Sequence, residues 1–205
     1  MALPVLISGE SGSGKTYSIK NFKPDEVGVI SDEKGRLPFK SDIKVAQIPK
    51  YGDDAEAKYY GAINRAKYSW LDMAIEKSKP KSIVIDDSQY LLVNEFFDKA
   101  NEKGYEKFTQ IALNFRNLIH WVNIGLPDDV IVYFLHHIQT DEMNGRIKAK
   151  TVGKMLDEKL TVEGCFDIVL MTEHNQDGWH FRTHTAGNDP VKTPEEMFTD
   201  DLIPN

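Results

Sequence analysis

The 205 residues include a single cysteine, Cys165, so no internal disulfide can form and a reducing, cytoplasmic setting is expected. No apolar run approaches the roughly 18 residues that a membrane-spanning helix needs, and no membrane partner is expected. The N-terminus, MALPVLISGES, lacks the basic start of a secretory leader and reads as a first strand. Positive charge is in deficit: 25 Lys and Arg stand against 32 Asp and Glu, a net of −7. That balance argues against coating DNA by bulk electrostatics. Any nucleic-acid contact has to rest on a local basic segment. Repeats, low-complexity stretches and flexible linkers are missing, and the length suits one domain spanning 1–205.

What is present alternates between strand and helix patterns. Strands are expected at 4–8, 27–31 and near 44–48. A short helix runs from about Lys15 to Asn21. A long helix at about 54–79 carries Tyr59, Ile63, Ala66, Trp70 and Met73 at three- and four-residue steps, and Pro80 ends it. A strand at 82–85 precedes two helices split near Gly104. The second bears the stripe Phe108, Ile111, Ala112, Phe115, Leu118, Ile119 and Val122. Further strands are expected at 129–135, 166–171 and 179–183, with a polar, irregular loop at about 138–153, a helix near 154–160 and a tail from about 185. Such alternation implies an α/β fold, a mainly parallel sheet with helices on both faces. Active loops then lie at the carboxyl ends of the strands.

Gly9-Glu10-Ser11-Gly12-Ser13-Gly14-Lys15-Thr16 matches G-x-x-x-x-G-K-[ST] in full. Glycines let the backbone curl until successive N–H groups point at phosphate oxygens. Lys15 is suited to reach the β- and γ-phosphates and Thr16 to hold Mg²⁺, with Tyr17 completing the nucleotide-binding set. An apolar strand before the motif and a helix after it supply the expected context. No guanine-reading N-K-x-D segment occurs, so ATP with Mg²⁺ is the expected cofactor pair.

Ser82-Ile83-Val84-Ile85-Asp86-Asp87 is a β-branched run ending in two aspartates, the Walker B pattern. Asp86 can hold Mg²⁺ beside Thr16. A helix cap or turn is the plainer reading of such aspartates. Two carboxylates are candidates for activating water: Asp87, and Glu33 just past the second strand, which is expected beside the phosphate-loop strand. Glu33 could equally be a solvated loop acid.

Val130 to Leu135 is an apolar strand run ending in His136 and His137, whose side chains should point to opposite faces. One of them could sense the γ-phosphate. No cysteine or acid nearby completes a zinc set at familiar spacing. Gly145 to Lys154 then holds four cations, Arg146, Lys148, Lys150 and Lys154, and no acid. It could track a phosphate backbone or be a solvated loop.

The segments VLISGESGSGKT, VGVISDEKG, SIVIDDSQYL, VIVYFLHHIQ and FRTHTAGNDPVKTPEEMF together span most of the chain. In that combination the chain resembles the phage-encoded P-loop ATPases of RecA-like fold, the AAA-type nucleotide-binding proteins that include Sak-type single-strand annealing ATPases. The resemblance implies a RecA-like P-loop NTPase in a host cytoplasm. It implies coupling of ATP hydrolysis to binding or annealing of single-stranded DNA, in a ring or filament, with replication or recombination proteins as partners. It favours Glu33 over Asp87 as catalytic carboxylate. His137 falls at the sensor position, where RecA itself has an amide. Arg146, Lys148 and Lys150 become DNA-contacting residues, and Lys192 a residue that completes a neighbouring subunit's site. The alternatives are a P-loop kinase of a small molecule, disfavoured by only five arginines (Arg36, Arg65, Arg116, Arg146, Arg182), and a nucleotide-dependent switch or loader acting on protein partners.

Overall fold

The computed structural model describes residues 1–33, 35–48 and 65–205. In chain order the strands are β1 (Leu3–Gly9), β2 (Val27–Ser31), β3 (Val45–Gln47), β4 (Ser82–Asp86), β5 (Ile131–Thr140), β6 (Ile147–Ala149), β7 (Ile168–Asn175), β8 (Gly178–Arg182) and β9 (Leu202–Pro204). The helices are α1 (Arg65–Glu76), α2 (Gln89–Asp98), α3 (Glu106–Gly125) and α4 (Lys154–Asp157), with 3-10 turns at Thr16–Asn21 and Val162–Cys165.

The nine strands form one mixed sheet in the order β3-β2-β4-β5-β1-β7-β8-β9, with β6 paired to β5. Pairing is parallel from β3 across to β7. It is antiparallel where β6, β8 and β9 join. The alternating pattern therefore gives the expected α/β architecture. One placement differs. β2 is not beside β1, because β4 and β5 intervene. Parallel neighbours are joined by long crossovers, so chain adjacency does not fix sheet adjacency.

The two faces are covered unequally. On one, α1, α2 and α3 pack Leu71, Ile75, Leu91, Leu92, Phe115 and Ile119 onto Val132 and Phe134. Phe115 is fully buried, its ring 6.4 Å from that of Phe134 in an edge arrangement. On the other, Ile19 of the first 3-10 turn, Leu37, Phe39 and Ile43 of the segment after β2, and Phe198 of the tail cover Val5, Ile7, Val84 and Leu135. So among the described residues the α-helices seen in the core lie on one face, not both. Residues 10–26 are too few for a phosphate loop plus a long helix, and only the six-residue 3-10 turn fits before Pro24.

The α3 stripe is buried as expected from Ile111 to Val122, with Phe108 at its margin. In α1 the face is rotated: Tyr68, Leu71 and Ile75 are buried, while Trp70 and Met73 are half-buried. Both sets fit a 3.6-residue period, and the compact aliphatic pair Leu71 and Ile75 takes the core. Tyr59 and Ile63 of the expected stripe, and the start of that helix, lie outside the described residues. The expected irregular loop at 138–153 is instead largely a hairpin. β5 continues through Thr140, and Ile138, Gln139 and Thr140 pair with Ala149, Lys148 and Ile147.

Candidate functional site

Two parallel strands, β1 and β4, end on either side of β5 to build the site. Gly9, closing β1, is opposite His137 of β5, and Asp86 closes β4 next to β5. The loop that leaves β1 turns through two left-handed glycines, Gly12 at φ 79° and Gly14 at φ 101°. At Gly14 a side chain is excluded twice over, since a Cβ would also lie 2.5 Å from Cδ1 of Trp179. Ser13 Oγ donates to the Glu10 carbonyl at 2.7 Å and lies 2.6 Å from Thr172 Oγ1, which ties the loop to β7. Ser11 and Glu10 are exposed at its rim.

Lys15 is 5% exposed and turned inward, its ammonium donating to the carbonyls of Gly9 (2.8 Å) and Glu10 (2.7 Å). Thr16 Oγ1 donates to Asp86 Oδ1 at 2.9 Å. These two residues are 70 positions apart, and each was singled out for the same ion. A hydroxyl and a carboxylate are hard oxygen donors, the set that suits Mg²⁺ completed by phosphate oxygens and water. Among the described residues no three His, Cys, Asp or Glu side chains gather as a metal group, so such an ion would depend on its nucleotide for most of its ligands.

Asp87 is 4% exposed and adopts φ 56°, in the left-handed region that a residue with a side chain seldom enters. Its Oδ1 accepts from His137 Nε2 at 3.2 Å. A carboxylate only accepts here, so Nε2 carries the imidazole proton. The ring edge of Tyr90 packs against His137 at 6.5 Å. His136 points the other way, as strand alternation requires, and is fully buried. Its Nε2 donates to the Lys150 carbonyl at 2.9 Å, leaving Nδ1 to accept from Ser88 Oγ at 2.9 Å. Burial depresses its pKa to about 4, so the ring is neutral at ordinary pH.

A cavity of about 480 Å³ opens on these groups. Its lining includes Lys15, Thr16, Asp86, Asp87 and His137, together with Tyr17, Trp179, Arg36, Leu37 and Pro38. Glu33 is not in the lining. It is half-buried, and its Oε1 accepts from Asn94 Nδ2 of α2 at 3.0 Å, as does Asp32. Of the basic segment's cations, Arg146, Lys148 and Lys150 fall on or beside the β5–β6 hairpin, and Lys154 opens α4. Arg146 and Lys150 are exposed, whereas Lys148 is half-buried and paired with Asp157 at 2.8 Å. Lys192 has an exposed side chain, and its backbone pairs with Val169 of β7. Val169 is level with Leu6, so Lys192 stands three residues, about 10 Å, short of the end of β1 in its own chain.

Sequence reasoning passed over Arg36 and Trp179. Arg36 had a weak signal, as one of few arginines just past the second strand. Trp179 had none that separated it from a packing tryptophan. No helix among the described residues is long and apolar enough to cross a membrane. A scan of protein-family models finds no match to the chain, and a search of curated proteins finds no significant relative.

Proposed function

We propose that this chain is a Mg²⁺-dependent ATPase of the RecA-like P-loop class that couples turnover to single-stranded DNA, in phage recombination or replication. The observation that carries the reading is the 2.9 Å hydrogen bond from Thr16 to Asp86. It joins the end of a glycine-rich loop to the end of a distant strand, at the place where the sequence pattern calls for one ion.

In this reading Lys15 offsets the charge of the β- and γ-phosphates, and the loop N–H groups hold the remaining phosphate oxygens. Thr16 and Asp86 hold Mg²⁺, which when bound supplies charge stabilisation at the transferring phosphoryl group. Asp87 takes the proton of the attacking water as the γ-phosphorus bond to the bridging oxygen breaks. His137 orients that carboxylate through its Nε2–H. Asp87 is preferred to Glu33 because Asp87 lines the cavity with Lys15, whereas Glu33 is held by Asn94 outside it. β5 runs from His137 directly into the hairpin, and so links the phosphate end of the site to the exposed cations Arg146 and Lys150.

The test is phosphate release from ATP with Mg²⁺, with and without single-stranded DNA, in the natural chain and in Lys15→Ala. Turnover that rises with DNA and vanishes in the variant is expected. Turnover indifferent to DNA would remove the coupling. Nucleotide binding with no phosphate release would replace an ATPase by a kinase or a switch.

A further inference from the structure

The cavity lining includes side chains that the proposed phosphate and ion roles do not use. Lys15, Thr16 and Asp86 fix where the terminal phosphates and the ion go, and Tyr17 is the next residue along the chain. Apart from the groups placed at phosphate and ion, the lining includes aromatic, apolar and cationic side chains. Trp179, in β8, is 39% exposed although its indole lies directly against Gly14. Its ring centroid is 5.0 Å from that of Tyr17 and 4.7 Å from that of His174, both tilted, so neighbours hold the indole in place. Lys20 Nζ sits 3.8 Å over the Tyr17 ring and Phe39 meets its edge at 6.0 Å, which fixes the phenol in turn. Arg36, Leu37 and Pro38 complete this set. No Asn or Gln side chain is among the described lining residues. Asn205, outside this lining, donates to the Gly14 carbonyl at 3.4 Å.

From this we infer that Trp179 is the nucleobase platform of the site, and that it selects for a base by its face and not by its hydrogen-bonding edge. The inference rests on the nucleotide-binding reading above and adds a ligand chemistry to it: a purine stacked on indole, with adenine and guanine accepted nearly alike. Trp179 lines the cavity and stays 39% exposed despite the Tyr17 and His174 rings packed on it, so part of its apolar surface is open to a ligand. Every base has a π-face, so stacking tolerates the base, whereas discrimination needs donors and acceptors held rigidly at its edge, and of Arg36, Leu37 and Pro38 only the long Arg36 side chain carries a polar group.

Calorimetric titration of ATP, GTP and inorganic tripolyphosphate, each with Mg²⁺, separates the possibilities in the natural chain and in Trp179→Ala, Trp179→Phe and Lys15→Ala. Trp179→Ala should weaken ATP and GTP by about tenfold or more, in the range that loss of one base–aromatic stack produces. It should leave tripolyphosphate within about twofold, which also shows that the loop is still folded. Trp179→Phe should recover most of the lost affinity. In the natural chain ATP and GTP should differ by less than about tenfold. The inference is overturned if Trp179→Ala weakens tripolyphosphate as much as ATP, because Trp179 would then merely support Gly14. An unchanged ATP affinity, or a strong preference for one purine, overturns it as well. If Trp179→Ala does not fold, the decision passes to tryptophan fluorescence of the natural chain. A change with ATP that is missing with tripolyphosphate and missing in Trp179→Phe supports the platform, and its absence refutes it. These failures leave Lys15-dependent tripolyphosphate binding intact. If no ligand binds the natural chain, or Lys15→Ala binds equally well, the phosphate-loop reading falls and takes the platform with it.

Discussion

Replacing His136 with glutamine should change how stability depends on pH, in a direction and amount that follow from the burial of one ring. The imidazole is fully buried between Ser88 and the Lys150 carbonyl, with its pKa lowered from 6.5 to about 4. Desolvation is the main cause, and the neighbouring charges of His137 and Lys15 add to it. The unfolded chain therefore takes up this proton below about pH 6.5, while the folded chain resists until about pH 4. Stability tied to the neutral ring is present in full above pH 6.5 and is lost as the pH falls toward 4. At about 1.4 kcal/mol per pH unit, the loss between about pH 7.5 and about pH 5 is about 2 kcal/mol. Other groups complicate the natural chain taken alone. Burial raises the Asp72 carboxyl to about 6, and it raises Glu95 as well, so both add stability as the pH falls. They are unaltered by the substitution and cancel in a comparison. Urea unfolding of the natural chain and of His136→Gln should thus be measured at both pH values. The variant should be the less stable at about pH 7.5, having lost the Ser88 hydrogen bond and the contact with Phe115. The gap should close by about 2 kcal/mol at about pH 5. Parallel curves, with a gap that does not move, would refute a neutral buried histidine and the proton placement argued from it.

Three further outcomes are expected. Asp87→Asn should lower the rate of phosphate release by about a hundredfold or more while nucleotide affinity holds, as loss of a general base does. Glu33→Gln should change the rate by less than about threefold, and single-turnover kinetics of the two variants decides between the carboxylates. Phe115→Ala should destabilise the fold by about 3–5 kcal/mol in urea titration, since the ring is wholly enclosed between α3 and β5. On the hairpin, Arg146→Ala should weaken single-stranded DNA binding and reduce its salt dependence more than Lys148→Ala, because Lys148 is already engaged by Asp157.

How much of this was readable beforehand varied with the range of the interaction. β1, β2 and β4 were legible to within a residue or two because each is a short β-branched run bounded by polar or glycine-rich turns. The glycine-rich turn after β1 was legible because its residues are contiguous. The Thr16–Asp86 contact was legible only as two motifs, since their meeting depends on β5 lying between β1 and β4. The length of β5 was underestimated. Its last residues are polar, and they stay in the strand because β6 satisfies their backbone groups. Glu33 was read from its distance from a strand, a spacing that could not show its contact with Asn94, 61 residues onward. Trp179 was opaque for the same reason, since its meaning comes from Gly14, 165 positions earlier (179 minus 14).

The sheet order also governs when this site can exist during synthesis. β1 is made well before its partners β5 and β7, with Leu3 paired to Ile131 and Val5 to Ile168. Until those strands have left the ribosome, the glycine-rich loop after β1 has a sequence but no frame. At translation rates of about 5–20 residues per second, that delay lasts on the order of 10–30 s. For that interval the apolar run Val5-Leu6-Ile7 has to be sheltered by transient contacts or by a chaperone, and nascent chains arrested before about residue 168 should bind no nucleotide, although they carry every residue of the loop.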